Sequence, residues 1–434
     1  MLPQGIMVFR GEVWVGTPPQ IWRLLDTNDD GVADKRTLFH DGGTLTGCMN
    51  DLHGPALGPD GRIYWTKGAF AEQKHTIDGK PFVTKACHVF SARPNGSDLQ
   101  VHMTGGMDNP VGVAFSPLGD LFVSCTFVHH PHLGLRDGII HPTLGMVFGK
   151  DHAPIQDQKH SRTGPGLATP LVEMGPAAPC GLAYFEHPDN DFKDRLACCQ
   201  FNLKKVSLHA LTAKGAGLTA DSTDLLVSDY PDFHPTDVIE DADGSLLVVD
   251  TGGWYKLCCP SSQMVKEESK GTIYRIRKTK APSDNKPDPR GQNIAWNSPN
   301  TNLGQLLSDR RPMVAKRATE ELILRKDTKT LAALARNESL AEGPRMQALW
   351  ALAQIDDNDS AMALLSFANT GSRNIQLVHL QALIAKGHKE SEDKESGHNF
   401  LQALQSTDPT IARIGAKGIA RSQAAQAMKP ITIL

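Results

Sequence analysis

One hairpin phrase is spelled three times along this chain. It reads His53-Gly-Pro-Ala-Leu-Gly-Pro-Asp-Gly-Arg-Ile-Tyr-Trp, then Asn109-Pro-Val-Gly-Val-Ala-Phe-Ser-Pro-Leu-Gly-Asp-Leu-Phe-Val, then His234-Pro-Thr-Asp-Val-Ile-Glu-Asp-Ala-Asp-Gly-Ser-Leu-Leu-Val-Val. Each copy holds a polar residue, an apolar strand, a tight Asp/Gly turn and a second apolar strand. A hairpin repeated at long intervals implies a repeat architecture, because one such unit cannot bury its own apolar face. In a β-propeller the start of each unit faces the central channel, which makes His53, Asn109 and His234 candidate site residues.

The turn glycines Gly61 and Gly119 lie 58 residues apart, and Gly119 and Gly244 lie 125 apart, room for two units. The middle unit is degenerate: Pro179-Cys-Gly-Leu-Ala-Tyr-Phe, Arg195-Leu-Ala-Cys-Cys-Gln-Phe-Asn and Lys205-Val-Ser-Leu-His. Units of this size suit four-stranded blades with loop insertions. Gly5-Ile-Met-Val-Phe and Glu12-Val-Trp-Val-Gly read as the inside of a blade. The expectation is therefore a propeller whose first blade lacks its start, truncated relative to a longer parent.

The chain has 434 residues, too many for one ordinary core, so two domains are expected. A net charge of −3 supplies no bulk basic field for nucleic acid. Mean hydropathy is −0.31 and no apolar run is long enough for an integral membrane segment. Met1-Leu-Pro-Gln-Gly lacks the basic and apolar regions of a signal peptide. Of the eight cysteines (Cys48, Cys87, Cys125, Cys180, Cys198, Cys199, Cys258 and Cys259), none forms C-x-x-C or C-x-x-C-H. Most read as small buried residues on strands, with Cys258-Cys259 open to a role in fixing a rim loop.

Residues 1–278 read as β and 279–304 as a polar, Pro/Asn-rich linker. Residues 305–434 change to helical periodicity: Ala318-Thr-Glu-Glu-Leu and Ala348-Leu-Trp-Ala-Leu are 30 residues apart, and Gln381-Ala-Leu-Ile-Ala echoes them. Gly343-Pro344 and Asp408-Pro409 open units, as proline in a first helical turn should. This predicts an α-solenoid of HEAT/ARM type, a scaffold or docking surface. The run Lys389–Ser396 is expected as a solvated loop between repeats.

Asp26, Asn28, Asp30 and Asp34, with Gly31 at the sharp turn, set oxygens at positions one, three, five and nine around a hard cation. The twelfth position is Thr37 and not the Glu of an EF-hand, so the loop reads as structural calcium or as a metal-free Asx turn. His53 is a candidate general base on a substrate hydroxyl, or a histidine hydrogen-bonded in the channel. His234 and Asp237 could ligate a metal or buttress a turn. Asn109 could bond a planar cofactor edge or cap its own turn. Arg275 and Arg277 alternate on one strand face and could hold an anion or lie exposed. The histidines His129, His130, His132, His141, His152 and His160 fit no zinc spacing and read as a rim loop, with Arg136-Asp137-Gly138 as its folded lip. No Gly-rich phosphate loop and no G-x-S-x-G is found.

The phrases His53…Gly58-Pro-Asp-Gly61 and Asn109-Pro-x-Gly-x-Ala-Phe-x-Pro-x-Gly119 resemble the soluble quinoprotein glucose/sorbosone dehydrogenases. These are six-bladed propellers, TolB/NHL-like, that bind pyrroloquinoline quinone (PQQ) and calcium. The β region is closer still to the membrane-bound dehydrogenase domain of planctomycete and verrucomicrobial proteins. Segments 50–70, 105–115, 175–184 and 233–277 carry that similarity, including Asp250-Thr-Gly-Gly-Trp-Tyr and Cys258-Cys-Pro. In that family HEAT-like repeats and a c-type cytochrome domain often follow the propeller.

The resemblance implies His53 as catalytic base, Asn109 as a cofactor contact, and Arg275 and Arg277 as loose counterparts of cofactor-contacting arginines. It implies PQQ and Ca²⁺ as cofactors, a sugar or polyol substrate, a c-type cytochrome acceptor elsewhere, and a periplasmic or secreted location. The chain departs from the pattern at the start of the first blade, at the cofactor-site calcium loop and in lacking C-x-x-C-H. The rival expectations are a non-catalytic propeller–HEAT protein that binds carbohydrate or protein, and an inactive fragment.

Overall fold

The computed structural model describes residues 3–46, 51–130, 134–156, 164, 166–256, 263–266, 268–278, 288–367, 371–387 and 393–422. Cys48, His132, His160, Cys258 and Cys259 lie outside the described residues.

Short alternating segments punctuated by Gly and Asp build five antiparallel blades. The first is β1 (Gly5–Phe9), β2 (Glu12–Thr17), β3 (Gln20–Leu25) and β4 (Lys35–Asp41). The second is β5 (Leu52–Leu57), β6 (Ile63–Lys67), β9 (Cys87–Ala92) and β10 (Gln100–Gly105), with a ribbon of β7 (Gln73–Ile77) and β8 (Lys80–Thr84) between. The third is β11 (Asn109–Phe115), β12 (Leu121–Thr126), β13 (Asp137–Ile140) and β15 (Val172–Met174). Its insertion holds β14 (Val147–Phe148), paired parallel to β10, and a single turn α1 (Ala153–Gln156). The fourth is β16 (Pro179–Tyr184), β17 (Arg195–Gln200), β18 (Lys205–Lys214) and β19 (Gly217–Val227). The fifth is β20 (Pro235–Glu240), β21 (Leu246–Asp250) and β24 (Thr272–Ile276), with a ribbon of β22 (Trp254–Lys256) and β23 (Gln263–Val265).

The innermost strands β1, β5, β11, β16 and β20 pack side by side around a channel. Large side chains close the clefts between blades: Trp14, Trp65 and Phe90 in one, Tyr64 and Val123 in the next. Phe122 and Leu196 fill a third, and Phe185 and Val248 a fourth. Burying each such side chain stabilises by roughly 1.5–3 kcal/mol.

Two expectations are corrected. The first blade, expected to lack its start, is a whole four-stranded sheet with β1 as its inner strand. The six blades implied by the resemblance are five among the described residues. The physical reason is visible at the two end blades. Ile6 and Val8 on β1 are 70% and 69% exposed, and Ile239 on β20 and Ile273 on β24 are 47% and 65% exposed. No sixth blade among the described residues covers those faces.

The C-terminal region is helical: α2 (Leu303–Leu306), α3 (Pro312–Leu324), α4 (Thr328–Arg336), α5 (Glu342–Gln354), α6 (Asn358–Leu365), α7 (Arg373–Lys386), α8 (Asp393–Leu404) and α9 (Pro409–Arg421). Asp327, Asp357, Ser372 and Asp408 accept backbone N–H bonds at the starts of α4, α6, α7 and α9, each cap worth about 1 kcal/mol. Pro409 follows Asp408 as the sequence suggests. The run Lys389–Ser396 is not all loop: Asp393 opens α8, and residues 388–392 lie outside the described residues.

Helices α3, α5, α7 and α9 form one row, and this row meets the propeller at the repeated hairpin turns. Trp350 Nε1 donates to Pro117 O at 3.1 Å, Gln354 Nε2 to Pro59 O at 3.0 Å, and Gln381 Nε2 to Leu118 O at 2.9 Å. Met313, Lys316 and Met346 line the channel's base. The helices therefore cap one end of the channel, and His53 and Asn109 lie toward the other.

Candidate functional site

Four of the five inner strands break register just after their first residues, while β1 pairs without a break. The shifts fall between His53 and Ala56, Pro110 and Val113, Pro179 and Leu182, and Pro235 and Asp237. A bulge bends the strand and re-aims the side chains beside it. The breaks also let neighbouring inner strands touch. A Cβ on Gly112 would lie 2.3 Å from Cys180 O, and one on Gly181 would lie 2.3 Å from Asp237 Oδ1.

The breaks are stitched by one device used blade after blade. Thr66 Oγ1 donates to Pro110 O at 2.5 Å, Ser124 Oγ to Cys180 O at 2.5 Å, and Cys180 Sγ to Pro235 O at 3.3 Å. This gives the partly buried Cys180 a bonding role, and burial pushes its thiol up to about 12. The five described cysteines lie on strands as free thiols.

The channel holds a cavity of about 2330 Å³. At its mouth His53 is 2% exposed and borders the cavity with Asn109 and Thr126. Asn109 faces Thr126 across β11 and β12. Asn109 Oδ1 and Thr126 Oγ1 are both buried with no hydrogen-bond partner. A buried acceptor and hydroxyl left unbonded cost about 1–3 kcal/mol each, and a water or a ligand in the cavity would supply the missing bonds. Beside His53, Lys67 Nζ bonds Asp51 Oδ1 at 3.0 Å, and Asp51 Oδ1 also accepts Thr46 N–H at 2.8 Å. Burial draws the Lys67 ammonium below the usual lysine range, against the pull of Asp51.

A rigid lip rims this pocket. The fully buried Asp137 accepts two bonds from Arg136, at 2.7 Å each. It also accepts Phe127 N–H at 3.0 Å and Ala178 N–H at 2.8 Å. Phe127 and Ala178 both hold positive φ, 57° and 47°, so one carboxylate holds two disfavoured backbone conformations. The Arg136 guanidinium lies 4.7 Å, and Lys150 Nζ 4.8 Å, from the Phe127 ring centre. Lys150 bonds Asp108 Oδ1 at 2.5 Å.

Of the remaining sequence candidates, Asp237 lines the same cavity as His53 and Asn109, and Arg275 and Arg277 do not. Arg275 bonds Asp241 Oδ2 at 2.7 Å, and Arg277 lies 3.7 Å from Asp243 Oδ2. Arg275 on β24 and Arg277 just after it sit at the fifth blade's hairpin turn, away from the mouth. The His234 ring stacks on Phe201 at 4.5 Å. Asp237 lines the channel wall, its carboxyl pushed up to about 6 by burial.

The Asp26–Asp34 loop lies between β3 and β4 at the turn end of its blade. Asp26 accepts N–H bonds from Asn28, Asp29 and Gly31, and these amides hold its carboxyl below the ordinary value. Asp34 Oδ2 accepts Thr27 N–H at 2.9 Å, and Asp30 Oδ1 accepts Val32 N–H at 2.7 Å. Among the described residues no group of three His, Cys, Asp or Glu side chains converges as a metal site. The rim histidines are likewise dispersed: His129 bonds Glu173, His141 bonds Asp120 and His152 bonds the Gly106 carbonyl.

Sequence reasoning missed Thr126, Phe127 and Lys150. Thr126 carries a faint signal, as the last residue of the strand that follows the Asn109 phrase. Phe127 and Lys150 carry none, because a loop places them.

Among solved structures, the glucose dehydrogenase-type oxidoreductase of Thermus thermophilus shares 12% identity at a TM-score of 0.36, over 64% of this chain and 96% of that one. The PQQ-bound aldose sugar dehydrogenase of Streptomyces coelicolor shares 14% at 0.35, over 63% and 93%. The calcium-binding regucalcin of Agrobacterium tumefaciens shares 10% at 0.36, over 62% and 74%. Likeness at this level assigns neither cofactor nor substrate to this chain. No curated protein matches the chain. Residues 1–281 match the family described as a domain of unknown function, DUF7133, and the chain belongs to that family.

Proposed function

We propose that this protein is a propeller dehydrogenase of quinoprotein type that oxidises a sugar or polyol hydroxyl. One observation carries the reading: a buried histidine shares the channel mouth with two unbonded buried polar atoms and a lip of cations on an aromatic ring. The mouth suits a planar, anionic, partly polar group. Asn109 and Thr126 would hold a polar edge of PQQ, and Arg136 a carboxylate, in place of Arg275 and Arg277. When bound, PQQ supplies the hydride-accepting chemistry. His53, as neutral imidazole, takes the proton of the substrate hydroxyl, and Phe127 shields the pocket from water. Electrons leave to an external cytochrome-type acceptor.

The same reading takes the paired helices as a HEAT-like solenoid, calcium in the Asp26–Asp34 loop as structural and remote from the mouth, and the location as periplasmic or secreted. A second reading has its own observation: Arg136 and Lys150 are already neutralised by Asp137 and Asp108. A mouth with no net charge and exposed rings suits an uncharged carbohydrate held without turnover.

Titration with PQQ, followed by absorbance and by dye reduction over a sugar panel, separates the two. The dehydrogenase reading expects saturable binding and sugar-dependent reduction. It expects Asn109→Ala to weaken binding by about tenfold, and His53→Ala to keep binding while losing roughly 10²–10⁴ in turnover. Sugar binding by folded protein that takes up no PQQ would establish the second reading instead.

A further inference from the structure

The α9 face that meets the propeller carries Arg413, Lys417 and Arg421, spaced four apart and so stacked in one row. They border a separate cavity of about 80 Å³ between α9 and the hairpin turns, together with Arg62, Asp60 and Asp120. Each enclosed water needs about 10–15 Å³, so the space holds several waters or one four-oxygen ion.

Four cations, Arg62, Arg413, Lys417 and Arg421, meet three carboxylates there, Asp60, Asp98 and Asp120. Arg62 is taken by Asp98 at 2.6 Å and by Ser91 at 2.7 Å. Asp120 is taken by His141 at 3.3 Å and Ser116 at 2.9 Å, and Arg413 reaches it only at 3.9 Å. Asp60 accepts from the Tyr64 hydroxyl at 2.8 Å. Among the described residues no carboxylate lies within 4 Å of Lys417 or Arg421. Their polar contacts are the uncharged Gln381, 3.2 Å from Lys417, and Gln100, beside Arg421. Arg413 Nε is buried with no partner.

We propose that this cavity is a site for a small tetrahedral oxyanion of the phosphate class, held by Lys417, Arg421 and Arg413, which fastens the helical cap to the propeller. Cationic donors converging from one helix face, two with no carboxylate in ion-pair contact and one with an unbonded N–H, suit such an ion. The volume admits a free ion and excludes a nucleotide. Burial, with Arg421 and Arg413 nearby, pulls the Lys417 ammonium down to about 8 against the opposing pull of Asp60 and Asp120.

The test is calorimetric titration of the whole protein with inorganic phosphate and with sulfate, at ionic strength fixed by chloride, alongside thermal unfolding. Saturable one-site binding of phosphate or sulfate is expected, with a midpoint rise that chloride does not give. Lys417→Met and Arg413→Gln should each weaken binding by about tenfold or more. Two variants guard against one failing to fold. No binding heat, or a midpoint rise equal in wild type and both variants, overturns the proposal, since excluded salts stabilise any protein alike. Undiminished affinity in both variants places the ion elsewhere and overturns it equally.

Discussion

The two ends of the channel are built from the same repeated hairpin and are finished in opposite ways. At the base, the tight turns are filled by another part of the chain. Gly61 and Gly119 hold φ of 75° and 86°, and a Cβ on Gly119 would lie 2.7 Å from the Trp350 ring. Glycine there meets two demands at once, a left-handed turn and the close approach of a helix. At the mouth, the starts of the same strands are bulged, and Asn109 and Thr126 keep unbonded polar atoms. At the base the turns are packed against helices, with the unbonded Arg413 Nε beside them, and at the mouth the unbonded atoms border the open channel. That division is what makes the mouth the candidate site.

The largest effects belong to the base. Gly119→Val adds left-handed strain of about 1–2 kcal/mol and an overpacking cost of about 1–3 kcal/mol. Trp350→Ala should cost about 3–5 kcal/mol through the lost ring and its bond to Pro117. Denaturant unfolding, with limited proteolysis of the helical region, reads both. If neither releases the helices, the cap does not rest on the turns and the contrast fails.

Asp137→Ala tests whether the mouth, too, has a rigid frame. Losing the buried partner of Arg136 and of two strained amides should cost about 3–5 kcal/mol. A cost below about 1 kcal/mol would mean that the lip is held by something else.

Asp237→Asn sharpens the contrast along the channel wall. Its folded carboxyl titrates at about 6, above the ordinary value of 3.8. Between roughly pH 4 and 6 the folded state keeps a proton that the unfolded state has lost, so wild-type stability falls as pH rises through that window. The Asn variant has no such loss. It should match wild type near pH 4 and exceed it above pH 6 by up to about 2–3 kcal/mol. Stability curves at several pH values check this, and a constant difference would sink it.

The smallest effect is expected of Asn109→Ala, within about 1 kcal/mol of wild type, because its Oδ1 has no bond to lose. A large loss of stability would make Asn109 structural and dissolve the contrast at its centre.

Much of the fold was legible in the chain. Period-two strands and Asp/Gly turns are local chemistry, so the repeated phrase marked β5, β11 and β20, and even the degenerate unit marked β16. The change to helical period and the Pro and Asp signals marked the helices. His53 and Asn109 became candidates because they open the phrase that repeats. Alternation on a strand said that Arg275 and Arg277 share a face; it did not say which end of the blade they reach. The spacing of Asp26 to Asp34 likewise specified a turn, while only the folded loop shows its carboxylates bonded to their own amides.

What the sequence by itself determined is the kind and order of the elements, because strand period, turn residues and helix caps act over a few neighbours. The tertiary structure alone decided the number of blades, the capping of the base and the composition of the mouth. Phe127 and Lys150 meet Arg136 across loops, and Lys417 meets its cavity across domains. Such juxtapositions depend on how sheets twist and stack over long separations, and no local pattern encodes them.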